Sequence, residues 1–167
     1  MLYFIYKSIK NLLYEDYNEI LPGLYISGIQ TAMDKTFLEK NKIKAIVNCT
    51  KEIAFLKNNT EKYRVSVFDN SEQSEIDDMT QQLPKAVAFI HKKYVVEKKN
   101  VLIHCVAGRM RSATVLVAFL YIYYNREKSI DEIIAFIVSK RPKVYHFGYK
   151  VNFSQSLKTF VNLDQNN

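Results

Sequence analysis

Tryptophan is absent from the 167 residues, and cysteine, histidine and proline number only 2, 3 and 3. Each shortage excludes something. Cys49 and Cys105 alone cannot build the disulfide framework of a small secreted domain, and so few histidines leave little for a metal site. Three prolines and four glycines rule out a linker-rich or collagen-like chain. Apolar runs are short, and none reaches the roughly 18 residues that cross a bilayer. Residues 1–6 are apolar, but Lys7 and Lys10 follow them. A secretory signal has the reverse order, charge first. These shortages predict an intracellular, cytoplasmic protein with no stable membrane span and no metal or other cofactor.

What is present fits one globular domain: 48% hydrophobic and 25% charged residues. Twelve tyrosines and ten phenylalanines stand mostly at helical or strand spacing beside aliphatics, which reads as core. A net charge of +7 favours anionic partners: phosphorylated proteins, nucleic acid or an acidic membrane surface. Heavy use of Lys, Asn, Ile and Tyr is typical of an AT-rich genome, viral genomes included.

Periodicity predicts the elements. Leu2, Ile5, Tyr6, Ile9, Leu12 and Leu13 share one face of a helix, which packs either on its own domain or on a second copy in a homodimer. Taking 1–18 as this helical segment leaves 19–163 as the domain and 164–167 as a frayed tail. Short strands are expected at 24–27, 45–47, 63–68 and 101–103, the last apolar on both faces as a central parallel strand is. Thr31 and Asp34 resemble a helix start running to about Asn41. Residues 76–99 read as helical, with Pro84 marking either a break near Leu83 or the start of the main helix. Asp77 and Asp78 then read as first-turn charges. A buried helix over 112–125, a capping box at Ser129 and Glu132 opening a helix to about Lys140, and a last helix from about Tyr149 complete the pattern. Strands alternating with helices predict an α/β domain with a central, mostly parallel sheet flanked by helices.

The chemistry lies in His104-Cys105-Val106-Ala107-Gly108-Arg109-Met110-Arg111-Ser112, between a buried strand and a helix, at the sheet edge where α/β proteins place ligands. Five residues between Cys105 and Arg111 let the backbone from Val106 to Met110 curl into a ring of converging N–H groups, helped by the positive end of the helix. Gly108 permits the curvature. Arg111 can grip two phosphate oxygens in its planar fork. Helix N-termini and nearby arginines lower thiol pKa values, so the setting favours a nucleophilic cysteine over an inert buried one.

This string resembles the His-Cys-x5-Arg-Ser/Thr signature of the cysteine-based protein phosphatases. The wider sequence is similar to their small dual-specificity branch, which includes the poxvirus H1-type enzymes. The likeness covers about residues 19–162: "EILPGLYISG" with Ala32, "IKAIVNCT", "VFDNSE", "VLIHCVAGRMRSATVLVAFL" and "SIDEIIAFIVSKRP". It implies the fold of that family and a shallow pocket open to phosphoserine, phosphothreonine and phosphotyrosine. Cys105 then resembles the nucleophile that forms a cysteinyl-phosphate, and Arg111 the ligand of substrate and transition state. Ser112 resembles the hydroxyl that stabilises the departing thiolate, and His104 a residue that orients the loop. Asp69, ending a strand and opening a polar loop, matches the general acid, with Glu72 as the substitute. The implied mechanism has two steps: thiolate attack with Asp69 protonating the leaving oxygen, then Asp69 activating water against the intermediate. No metal is implied, because Arg111 and the backbone ring carry the charge.

Two features depart from the pattern. Arg109 puts a second cation in the ring, as in phosphatases of phosphoinositides and phosphatidylglycerophosphate; it either contacts a second anionic group or faces solvent. The stretch after Arg141-Pro142 lacks the asparagine that relatives carry, which bears on support for Ser112. Cys49, ending a strand beside the signature strand, is either core or a partner that traps oxidised Cys105 as a disulfide. Three functions stay open: a dual-specificity protein phosphatase, a phosphoinositide or RNA 5′-phosphatase on the same scaffold, and a non-catalytic phosphate-binding module.

Overall fold

The computed structural model describes residues 15–70, 72–124, 126–145 and 153–165. Five strands, β1 (Tyr17–Leu21), β2 (Leu24–Ser27), β3 (Ile43–Asn48), β4 (Glu61–Arg64) and β5 (Asn100–His104), form one sheet in the order β1-β2-β5-β3-β4. β1 runs antiparallel on the β2 edge, and the other neighbours are parallel. This is the expected α/β sheet.

Period-two alternation divides the core between the two faces. Leu24, Ile26, Ala45, Val47, Val101 and Ile103 point into the larger cluster. That side is closed by α3 (Gln73–Ile90), α4 (Arg111–Tyr123), α5 (Ile130–Lys140) and α6 (Ser154–Gln165). Tyr25, Ile46 and Leu102 point the other way, onto Ala32, Phe37 and Leu38 of α1 (Ile29–Ala32) and α2 (Lys35–Lys40). Covered on both sides, β5 has no polar face, which explains its unbroken hydrophobicity. Asn48 pairs with His104, so β3 and β5 end in register. The segments that follow β2, β3, β4 and β5 therefore gather at one edge of the sheet.

Several sequence expectations need correction. β1 was not foreseen. Pro22-Gly23 is the centre of a hairpin in which Leu21 faces Leu24, and Gly23 takes φ +80°, the left-handed conformation such a turn requires. The strand starts at Tyr17, inside the segment expected to be helical. The strand expected over 63–68 stops at Arg64: Val65 N still donates to Asn48 O of β3, but after it Ser66 N donates to Gln82 and Phe68 N to Glu75, side chains of α3.

α3 passes through Pro84 without a break and continues into a π-helical turn (His91–Val96). A proline costs about 3 kcal/mol in a helix interior. Here it lies on the exposed face, where the Thr80 carbonyl it leaves unbonded can meet water, while Met79, Leu83, Ala86, Val87 and Ile90 hold the other face in the core. The helix also begins at Gln73, so its first-turn acid is Glu75 and not Asp77 or Asp78. Asp34 caps α2 rather than extending a helix from Thr31, which belongs to α1. The capping box at Ser129 and Glu132 forms as expected. α6 runs through Gln165, with Asp164 accepting from Arg126, so the tail is helical further than expected. The helical segment at 2–13 with its dimer contact, and residues 149–152, lie outside the described residues.

Candidate active site

The loop between β5 and α4 is held from outside by its carbonyls. His104 Nδ1 lies 3.3 Å from Cys105 O, and Ile29 N donates to Val106 O at 2.9 Å. Arg141 donates to Ala107 O at 3.3 Å and to Gly108 O at 2.8 Å. Tyr145 N reaches Arg109 O, and Thr114 reaches Met110 O through both its N–H and its hydroxyl. In a trans peptide the C=O and the next N–H point opposite ways. Carbonyls pinned outward therefore turn the following amides inward, which makes an anion-binding nest. One of them is seen doing so: Gly108 N donates to Cys105 Sγ at 3.2 Å. Gly108 sits at φ +63°, and a Cβ there would lie 2.5 Å from the Ser27 backbone, so only glycine fits.

Cys105 lies at the floor of this ring, 1% exposed. Ser112 Oγ donates to its sulfur at 3.3 Å. Two donors, Gly108 N and Ser112 Oγ, are thus aimed at one sulfur. Arg111, 2% exposed, donates through Nη1 to Glu52 at 2.9 Å and to Val67 O at 3.1 Å. Its Nε is buried, has no hydrogen-bond partner among the described residues and lies 3.8 Å from Asp69 Oδ2. The guanidinium is thus fixed at one end, and its Nε edge is left for an incoming oxygen.

The loop after β4 brings Asp69 to this guanidinium. Glu72 instead stands exposed at the start of α3, where its carbonyl accepts the first helical bonds. Val106 and Ala107 are exposed on the ring, while Met110 packs against the core. Cys49 follows Asn48, the residue paired with His104, and its N–H donates to His104 O at 2.8 Å. Both cysteines are free and buried, and burial, with Cys105 adding to it, pushes the Cys49 thiol up.

His104 titrates at about 4 instead of 6.5, chiefly because burial disfavours the charged ring. Neutral, it donates from Nδ1 and orients the loop, and no proton transfer is asked of it. The unfolded chain takes up this proton near pH 6.5 and the folded chain only near 4. The histidine therefore contributes stability above pH 6.5 that is lost as the pH falls to 4, worth about 3 kcal/mol. Urea unfolding at pH 7 and pH 4 should show wild type losing about that much more than His104→Gln. Equal losses would refute it.

Sequence reasoning missed three participants. Arg141 figures in the sequence only as the residue before Pro142. It is wholly buried and donates to Asn18 Oδ1, Asp16 O and Glu15 O as well as to the loop. Glu52 and Lys51, four and three residues past the end of β3, reach Arg111 and Glu75. An arginine placed immediately before the proline that follows a helix was the available signal for the first. Nothing local marked the other two.

A thiol at the base of an amide nest, an arginine fork beside it and a carboxylate across from it define a cysteine-dependent phosphate site. The sequence model of the dual specificity phosphatase catalytic domain matches residues 24–162, and the chain belongs to that family. It is 32% identical over 136 residues to the dual specificity protein phosphatase Mpk3 of Drosophila melanogaster, covering 77% of this chain and 31% of that protein. The chain spans between a fifth and about half of the length of the curated relatives it matches. Human DUSP28 has the same fold, with TM-score 0.76 and 20% identity over 92% of this chain and 97% of that one. PTPMT1, solved with PI(5)P, is similar at TM-score 0.68 and 20% identity over 91% and 96%.

Proposed function

We propose that the chain hydrolyses phosphate monoesters of protein tyrosine, serine and threonine through a cysteinyl-phosphate. One observation carries this reading: Cys105 Sγ receives two hydrogen bonds at the floor of the loop, and the buried Nε of Arg111 lies 3.8 Å from Asp69 Oδ2 with no hydrogen-bond partner among the described residues. Sulfur attacks phosphorus as Asp69 gives its proton to the leaving oxygen. Asp69 then takes a proton from water, which attacks the phosphocysteine and releases phosphate. Ser112 supports the sulfur as it departs. Convergence of all these groups argues against a non-catalytic module.

A second reading, a phosphoinositide phosphatase, has one observation in its favour. Arg109 Nε is buried and finds no hydrogen-bond partner among the described residues. Lys143 nearby is pushed down to about 8, by burial first and then by the charges of Arg141 and Arg109. A second anion on the substrate would relieve that crowding, and PTPMT1 was solved with such a lipid. Parallel assays on phosphotyrosyl and phosphothreonyl peptides, phosphoinositides and triphosphorylated RNA decide the matter. We expect kcat/KM at least about tenfold higher for the peptides. A preference for the lipid that Arg109→Ala removes would replace the first reading with the second, and a preference for RNA would exclude both.

A further inference from the structure

The dipeptide Lys51-Glu52 touches both halves of the catalytic apparatus, and its backbone is unusually well held for a loop. Asn48 Nδ2 donates to Ile53 O at 2.9 Å, Thr50 Oγ1 to Asn48 Oδ1 at 2.7 Å, and Ile53 N to Thr50 Oγ1 at 3.1 Å. Arg64 adds bonds to Thr50 O and Ile53 O. A segment pinned at both ends can fix what its side chains hold.

The two side chains go to different places. Glu52 Oε1 accepts from Arg111 Nη1 at 2.9 Å. Burial pushes the Glu52 carboxyl up, but the hydrogen bond and charge of Arg111 bring it below its usual value, so it stays ionised. Lys51 Nζ donates to Glu75 Oε1 at 2.8 Å, lies 3.3 Å from Asp78 Oδ2 and sits 5.0 Å from the centroid of the Phe68 ring. The other oxygen of Glu75 accepts from Phe68 N at 2.8 Å. Phe68 directly precedes Asp69. One residue thus holds the phosphate-gripping arginine, and its neighbour, through Glu75, holds the backbone that carries the acid.

We infer that Lys51 and Glu52 are positioning residues with separable roles. Glu52 ties down Nη1 so that the Nε edge of Arg111 meets the phosphoryl oxygens. Lys51 fixes Glu75 and Phe68 so that Asp69 stands at the leaving oxygen. This rests on the phosphatase reading above, and the two can fail separately.

The test uses the full chain, with two esters of different leaving ability, p-nitrophenyl phosphate and a phosphotyrosyl peptide, and with tungstate binding measured by calorimetry. For Glu52→Gln we expect KM for both esters and the tungstate Kd to rise about tenfold or more, by the same factor for each ester, as expected when a partner orienting a ligand-binding group is lost. For Lys51→Met we expect an unchanged tungstate Kd. Its kcat/KM, which reports the first step alone, should fall about 10- to 100-fold on the peptide and under about 3-fold on p-nitrophenyl phosphate, whose good leaving group needs little protonation. Lys51→Arg, which keeps a donor to Glu75, should recover most of the peptide rate. Equal losses on both esters with no change in tungstate affinity, in variants that melt like wild type, would overturn the inference. A Lys51→Met chain that does not fold leaves the decision to Lys51→Arg and Glu52→Gln, which preserve size and polarity. If wild type hydrolyses neither ester, the phosphatase reading fails while the tungstate arm still judges Glu52.

Discussion

Cys105→Ser lowers kcat on p-nitrophenyl phosphate by about 10⁴-fold or more while leaving thermal stability nearly unchanged. The substitution exchanges one atom, and the buried site holds either without rearrangement. Gly108 N and Ser112 Oγ would then face a hydroxyl instead of a sulfur. An aliphatic alcohol is a far weaker acid than a thiol and stays un-ionised at neutral pH beside such donors. The nucleophile is lost and the phosphate cradle remains, so substrate should still bind. Steady-state kinetics with a parallel melting curve measure both sides of the claim. Quenching wild type during turnover and locating the phosphoryl group by mass spectrometry adds a positive readout, phosphate on Cys105. Residual turnover within about tenfold of wild type would remove the sulfur from the mechanism.

The second large effect falls on stability. Arg141→Met should cost about 3–5 kcal/mol, because removing one partner leaves buried polar groups uncompensated. Its guanidinium satisfies carbonyls of Ala107, Gly108, Asp16 and Glu15 and the side chain of Asn18. Burial lowers its pKa to about 10, which leaves it charged at neutral pH. Methionine fills much of the space but donates nothing. For a chain of this size the loss corresponds to a fall in Tm of about 6–20 °C. Activity should fall too, since Ala107 and Gly108 would no longer be held outward. Arg141→Lys keeps the charge but not the planar fork, and should recover only a minor part. Urea unfolding checks the figure, and a loss under about 1 kcal/mol would contradict this assignment.

The signature string was legible because one stretch carries everything: nucleophile, ring, glycine and arginine within nine residues between a strand and a helix. β5, α4 and α5 were legible too, since continuous hydrophobicity, apolar helical spacing and a capping box are local signals. β1 escaped because its five residues include polar ones and its partner is the next strand, across the Pro22-Gly23 turn. The end of β4 escaped because the bonds that replace its ladder come from Gln82 and Glu75, many residues later. Pro84 misled because a propensity rule takes no account of which face a residue occupies.

The sequence by itself determined the family, the layered α/β architecture and the string that carries Cys105 and Arg111, because each rests on residues close together in the chain. Only the tertiary structure decided what holds them in place. The in-register ends of β3 and β5 bring Glu52 to Arg111, α3 brings Glu75 under the loop of Asp69, and the end of α5 brings Arg141 behind the ring. The physical reason is that a buried charge must find its partner through space, and the chain separation between partners, up to 126 residues for Arg141 and Glu15, leaves no local trace in the pattern.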